Sequence, residues 1–230
     1  MKKIFIFILI LFIMSCSLIQ KPQIHNKEII INKLLEQLNN YNQFKAIGLS
    51  KIFMKNFELK ANFVIWKKGD QFELDLLEGG ILGLRPTPKA QIVNNVKSFL
   101  FYLPDNKKIY HLPPIKFNSN NFEDMLKNCE ISNIENGMYN VFLKSGFKLK
   151  INKNLMINEI SYDIIKLEIS DYNNKIPGKI NIFYHKQKIA EFIFEKWYNK
   201  KTIKAKFFLQ IPQSVDFEEI KWKELLKKFQ

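Results

Sequence analysis

The chain has 230 residues and a net charge of +14, with 14% aromatic and 25% charged residues. Twenty-one Phe against 8 Gly and 8 Pro exclude a disordered chain, and the length suits one domain with a sizeable core, or at most two small ones. Nucleic acid is excluded as a partner, because Arg85 is the only Arg and the Lys are scattered along the chain rather than gathered in a patch. An anionic lipid surface would attract each nearby Lys by about 1 kcal/mol, but most of these Lys read as ordinary solvated surface.

Met1-Lys2-Lys3 precedes an apolar run from Ile4 to Met14, followed by Ser15 and Cys16. A basic start, an apolar stretch of this length and a small residue at its end read as a secretory signal. The run is too short to span a bilayer, which takes about 20 apolar residues. Ile13-Met14-Ser15-Cys16 resembles the lipobox of bacterial lipoproteins. That resemblance implies cleavage before Cys16 and acylation of Cys16, with palmitate or a similar chain, as the mature N-terminus. Each buried acyl CH₂ would add about 0.8 kcal/mol of membrane affinity. Removing residues 1–15 from 230 leaves 215, and the loss of Lys2 and Lys3 lowers the charge from +14 to +12. Cys129 is then the only other Cys, so no intramolecular disulfide is expected. Residues 16–26 read as a polar tether, and residues 27–230 as a single domain.

Ile30, Leu34, Leu35 and Leu38 have helical spacing, which predicts a helix from Lys27 to Leu38. The period then changes to two. Phe44 to Phe53, Phe57 to Ile65 and Phe72 to Leu76 alternate apolar and polar residues, with turns at Lys55-Asn56 and Lys67-Lys68-Gly69-Asp70. They predict three antiparallel strands in a meander. The loop that follows, Glu78 to Pro88, holds three of the eight Gly and is unusually apolar at Ile81, Leu82 and Leu84. Ala90 to Asn94, Ser98 to Leu103 and Lys108 to Leu112 read as further strands, and Asn121 to Asn128 as a short helix. Strands are predicted again over Met138 to Leu143, Phe147 to Ile151, Met156 to Tyr162, Lys166 to Tyr172, Lys179 to His185, Lys188 to Tyr198 and Thr202 to Leu209. Phe217, Ile220, Leu225 and Phe229 predict a C-terminal amphipathic helix over Asp216 to Phe229. Its segment Lys221 to Phe229, with Trp222, Leu226 and four Lys, suits either a membrane surface or packing on the sheet. The expected fold is mainly β (α+β): about ten or more antiparallel strands in a curved sheet wrapped around a few helices.

Phe44-Lys45-Ala46-Ile47-Gly48, Ala61-Asn62-Phe63-Val64-Ile65-Trp66 and Gly69-Asp70-Gln71-Phe72-Glu73-Leu74 resemble, in order and character, the first three strands of the LolA/LolB family of bacterial lipoprotein carriers. With the lipobox, the anchored LolB type is the better match, and a related group of lipoproteins fits as well. The resemblance implies a half-barrel with helices as a lid, and an apolar cavity that holds acyl chains of lipoproteins or other lipids in transit. It also implies a periplasmic carrier protein as partner, outer-membrane anchoring facing the periplasm, and a protruding loop whose exposed Leu hands cargo to the membrane. That loop falls on Ile81, Leu82 and Leu84, with Leu82 before Gly83 the nearest match. This chain departs from the family by its richer Gly content there and by the continuation Arg85-Pro86-Thr87-Pro88. Each of the three side chains, if inserted in lipid, would contribute up to about 1.5–3 kcal/mol. Folding back as a core cap is the competing use.

Phe63, Ile65, Phe72, Leu74, Leu76, Phe99, Phe101, Phe183, Phe192, Phe194 and Phe207 are the candidate cavity lining, since aromatic and aliphatic walls accept sliding alkyl chains. For any one of them, plain core packing is the alternative. No catalytic residue, metal site or cofactor is expected. His25, His111 and His185 are far apart without metal spacing, there is no Gly-x-Ser-x-Gly elbow, and Asp70, Glu73 and Asp75 read as one solvated face. A monomeric binding protein rather than an enzyme is expected, with a structural or assembly lipoprotein of the same fold as the alternative.

Overall fold

The computed structural model describes residues 26–54, 57–78, 87–115, 119–134, 137–198, 207, 209, 214–221 and 224. Asn26 starts the first helix. Its side chain accepts from the Ile29 N–H at 2.9 Å, the bond of an N-cap, and Glu28 in the first turn faces the positive end of the helix dipole. Helix α1 runs Lys27–Asn40 and buries Ile30, Leu34 and Gln37, one stripe at helical spacing.

Period-two segments then form β1 (Gln43–Met54), β2 (Phe57–Lys68), β3 (Gln71–Glu78), β4 (Thr87–Asn94), β5 (Phe99–Leu103) and β6 (Lys108–Leu112), each antiparallel to the next. Helix α2 (Ser119–Lys127) carries the chain to a second meander. This one comprises β7 (Glu130–Ile134), β8 (Met138–Phe142), β9 (Lys148–Ile151), β10 (Ile157–Tyr162), β11 (Ile165–Ser170), β12 (Lys179–Tyr184) and β13 (Gln187–Tyr198). Among the described residues these strands, with β14 (Asp216–Glu219), form one sheet in the order β14-β6-β5-β4-β3-β2-β1-β13-β12-β11-β10-β9-β8-β7. It is open, mostly β with two α-helices, and antiparallel except where β14 lies parallel to β6. This is the open antiparallel half-barrel that the family resemblance implies, and its fourteen described strands agree with the expected ten or more.

Among the described residues the two meanders join in the sheet through the pairing of β1 with β13. There the ladder carries a bulge between Ile47 and Gly48. A Cβ on Gly48 would lie 1.9 Å from the Ile193 carbonyl oxygen and 2.9 Å from the Phe63 ring, so only Gly lets the backbones close. Gly69, by contrast, has open space around it but a φ of +59°, which the β2–β3 turn requires.

On the outer side of the seam Glu191 is buried among Lys51 at 3.4 Å, Lys179 at 3.1 Å and Lys188, which bonds it directly. The Lys188 bond, with the other two ammoniums, outweighs burial and holds its carboxyl down at about 2, below the ordinary 4.5.

The core has three parts. Ile30 and Leu34 of α1, with Leu126 of α2 and Cys129, pack on Tyr139, Val141, Leu149, Ile151 and Ile157 of β8–β10. Gln37 locks α1 there, donating to the Leu155 carbonyl at 2.6 Å and accepting from the Ile157 N–H at 3.4 Å. A second cluster lines β2–β6, and a third, outer one sets Phe207, Leu209 and Val215 against Val93, Tyr102 and Ile109.

The C-terminal reading needs correction. Asp216–Glu219 is strand β14, not helix. The free edge of β6 offers unpaired backbone groups, and the segment takes them: the Asp216 N–H donates to Lys107 O at 2.9 Å and the Ile220 N–H to His111 O at 3.1 Å. Beyond the strand, the Lys221 N–H donates to the Glu224 carboxylate at 3.0 Å, and Glu224 itself is helical. Trp222, Leu225, Leu226 and Phe229 lie outside the described residues, as do most of Thr202 to Leu209; of that predicted strand, Phe207 and Leu209 are described and neither is in a strand.

Two predictions follow from the seam. Gly48→Ala should destabilise the fold by more than about 3 kcal/mol, whereas Gly69→Ala should cost about 1–2 kcal/mol, both read from urea unfolding midpoints. Because the folded pKa of Glu191 is lowered, its stabilising contribution is complete above about 4.5 and disappears as pH falls towards about 2. Glu191→Gln should therefore flatten the acid limb of a stability–pH curve; Glu36, also lowered to about 2 by Lys175 and Lys33, keeps part of it.

Candidate functional site

Strand register decides which side chains share a face. Phe63 of β2 stands opposite Leu76 of β3, and Ile65 opposite Leu74. Leu76 pairs with Ala90 of β4, Leu74 with Ile92, and Phe72 with Asn94. Ile92 pairs with Phe101 of β5 and Asn94 with Phe99, which in turn face Tyr110 and Leu112 of β6. Across the seam, Gly48 and Ser50 of β1 stand between Phe63 and Ala61 on one side and Phe194 and Phe192 of β13 on the other. The row continues through Ile180 and Ile182 of β12. One apolar face therefore runs unbroken across both meanders.

The rings on this face touch. Phe63 meets Phe192 and Phe194 edge-on with centroids 5.3 Å apart, and Phe72 meets Phe99 at 6.2 Å. Phe44, Trp197 and Tyr41 extend the series at the α1 end, with Phe44 stacked on Trp197 at 4.0 Å. Ser50 and Asn94, polar residues on the face, are already satisfied. Ser50 Oγ donates to Ala61 O at 3.0 Å, and Asn94 donates to Asp70 O and Ile115 O and accepts from the Ile115 N–H. Such a wall makes no hydrogen-bond demand on a ligand, which favours alkyl chains over polar ones.

Burial divides the face. Under α1 and α2 the β8–β10 half is closed, and Leu34, Leu126 and Val141 have no exposed surface. In the other half Phe63 and Leu76 are buried, while Ile65, Phe72, Leu74, Ile92, Phe192 and Phe194 are only half-buried, packed around that cluster. The half-buried set is the candidate site.

Of the eleven residues read as cavity lining, nine lie on this face: Phe63, Ile65, Phe72, Leu74, Leu76, Phe99, Phe101, Phe192 and Phe194. Phe183 and Phe207 do not. On β12 ordinary alternation puts Ile180 and Ile182 on the face, so Phe183 stands on the outer side opposite Lys166 of β11, with Lys166 Nζ 4.3 Å above its ring, and Phe207 belongs to the outer cluster with Val93, Tyr102 and Ile109. Alternation within a strand does not say which of its two faces turns inward, nor which side of a sheet a returning segment will cover. The contributions of Trp197, Phe44 and Ile180 were missed for the same reason. Cys16, Ile81, Leu82 and Leu84 lie outside the described residues.

Titratable groups keep off the half-buried set. Glu73 and Asp75 point to the outer side of β3, where burial, and for Glu73 also its neighbour Asp75, raises Glu73 to about 7 and Asp75 above its ordinary value. Cys129 is buried under the helices, and burial pushes its thiol up. His111 sits 3.5 Å from Glu219, His185 packs edge-on against Tyr184, and among the described residues no three metal-binding side chains gather.

No family model and no curated protein matches this sequence. Solved structures do match it in fold. A LolA superfamily protein from Nitrosomonas europaea superposes with a TM-score of 0.51 over 81% of this chain and 99% of its own, at 10% identity. A DUF1329 family protein from Desulfovibrio piger gives 0.51 over 79% and 96%, also at 10% identity. The chain thus has the LolA-type fold.

Filling the half-buried set tests whether that space takes a ligand. Ile65→Trp should weaken binding of the apolar probe N-phenyl-1-naphthylamine about tenfold, equivalent to about 1.4 kcal/mol, while Ile47→Trp on the opposite side of the sheet leaves it unchanged. Fluorescence titration reads both.

Proposed function

We propose that this protein is a lipid-anchored component of a bacterial cell envelope that binds acyl chains on the apolar face of its half-barrel and receives or inserts lipoproteins. The observation that carries the reading is the set Ile65, Phe72, Leu74, Ile92, Phe192 and Phe194: contiguous, apolar, half-buried and beyond the helix-packed cluster under α1 and α2. The LolA-type fold supports it, since a protein of that superfamily superposes on 81% of this chain. The lipobox-like Ser15-Cys16 supports an anchor at the mature N-terminus, and the family resemblance supports the outer membrane, facing the periplasm, as its site. A periplasmic carrier is the partner that would deliver cargo. The role is binding and transfer, not catalysis.

The alternative is a structural or assembly lipoprotein with a filled interior. The close packing of Ile30, Leu34 and Leu126 on β8–β10 is the observation that favours it. Lipid extracted from the purified full chain, and displacement of a fluorescent fatty-acid probe by lauric acid, separate the two. Bound lipid and displacement are expected; neither would be seen with a filled interior. Leu82→Glu combined with Leu84→Glu should abolish transfer of a lipoprotein to vesicles and leave the far-UV circular dichroism unchanged. Unaltered transfer would remove the loop from the mechanism.

A further inference from the structure

Strand register sets Lys188 of β13, Phe183 of β12, Lys166 of β11, Ser161 of β10, Lys148 of β9 and Phe142 of β8 side by side in one row on the outer side of the sheet. Ammoniums and rings touch along it. Lys166 Nζ lies 4.3 Å from the centroid of Phe183, Lys148 Nζ 5.2 Å from that of Phe142, and Lys188 Nζ 5.4 Å from that of Phe53 on β1. Such pairs bring an apolar ring and a positive charge to one surface. Phe142 stays exposed in spite of its Lys.

The row runs just inside one end of the half-barrel. The β8–β9 and β12–β13 turns close the strands there and carry Lys144 and Lys186, both exposed. Tyr162, stacked on Phe147 at 4.5 Å, and Ile165 add exposed apolar surface at the same end. Three Lys surround Glu191, Lys166 holds Glu168 at 2.6 Å, and Lys144, Lys148 and Lys186 have no ion-pair partner among the described residues. With Asp163 in the β10–β11 turn and Glu130 opposite Phe142, seven Lys stand around the row against four acids.

The chain enters the domain at this end. Lys27, the first residue of α1, donates to the Cys129 carbonyl at 2.6 Å, and Cys129 directly precedes Glu130, the residue of β7 that pairs with Phe142. α1 therefore begins beside the row and runs away from it, to Tyr41, which donates to Lys175 O at the far end. Residues 17–26 span at most about 35 Å even when fully extended, so a lipid on Cys16 keeps the domain within reach of the bilayer.

We infer that this end of the half-barrel rests on an anionic phospholipid surface, with the Lys of the row on the phosphates and Phe142, Tyr162 and Ile165 at the boundary with the acyl chains. The inference rests on the lipid anchor proposed above and not on acyl binding by the apolar face. Cations beside rings suit a surface that is charged outside and apolar beneath, and the start of α1 brings the anchor and the row to the same side.

The test places a nitrobenzoxadiazole fluorophore at Ser145→Cys, in the β8–β9 turn, or at Asn154→Cys, in an exposed turn at the far end. The acylated protein is then bound to phosphatidylcholine vesicles with or without phosphatidylglycerol. With phosphatidylglycerol the Ser145 label should shift to the blue and be quenched by doxyl-labelled lipid, high salt should reverse both, and the Asn154 label should stay in water. Lys144→Gln, Lys148→Gln and Lys186→Gln should each lower the docked-to-undocked ratio about fivefold, equivalent to about 1 kcal/mol. Protein that floats with the vesicles while its Ser145 label stays in water would overturn the docking and leave the anchor standing. An equal shift without phosphatidylglycerol, or a shift at Asn154, would overturn it as well. A shift that follows protein concentration without vesicles would give the row to a second copy instead. No flotation at all would overturn the anchor and the docking together.

Discussion

Everything in this molecule depends on the pairing of β1 with β13. Each meander alone would be a sheet with two open edges; joined at this seam they become one surface with one apolar side. The pairing is non-local, so its closure entropy must be met before its contacts form, and it must then be tight. Gly48 permits that tightness by letting the Ile193 carbonyl approach to where a side chain would stand. Phe63, Phe192 and Phe194 then meet across the join, and Glu191 gathers three Lys on the other side. The same few residues therefore close the fold and build the centre of the candidate site.

The helices explain why the apolar face is not uniform. α2 carries the chain from β6, next to one edge of the sheet, to β7 at the other, and α1 packs beside it. Both settle on β8–β10, where Gln37 and the Lys27–Cys129 carbonyl bond of 2.6 Å hold them. That half is thereby closed. The β2–β6 half keeps large side chains that neighbours cover only in part, and apolar surface left in this condition is what a hydrophobic ligand would cover.

Charge plays a different part. The ion pairs lie at the rim and on the outer side, where Lys stems also cover rings: Lys45 over Trp66, Lys166 over Phe183, Lys188 over Phe53. Exposed pairs of this kind stabilise little individually. Their placement does keep the apolar side of the half-barrel free of charge along its half-buried stretch, and a wall without charge holds alkyl chains without desolvating an ion.

Alternation and helical spacing were enough to read most of the strands, both helices and the turn at Gly69, because those features are set by neighbours in the chain. They also placed nine of the lining residues on common faces within each strand. The sequence could not show which face turns inward, and so that Phe183 points out while Ile182 points in, that Phe207 packs outside, or that Asp216–Glu219 leaves the expected helix to pair with β6. Those outcomes are decided by partners far away in the chain. A strand's period is local chemistry, written in the sequence itself, but its register, its side and its neighbour exist only once β1 has found β13.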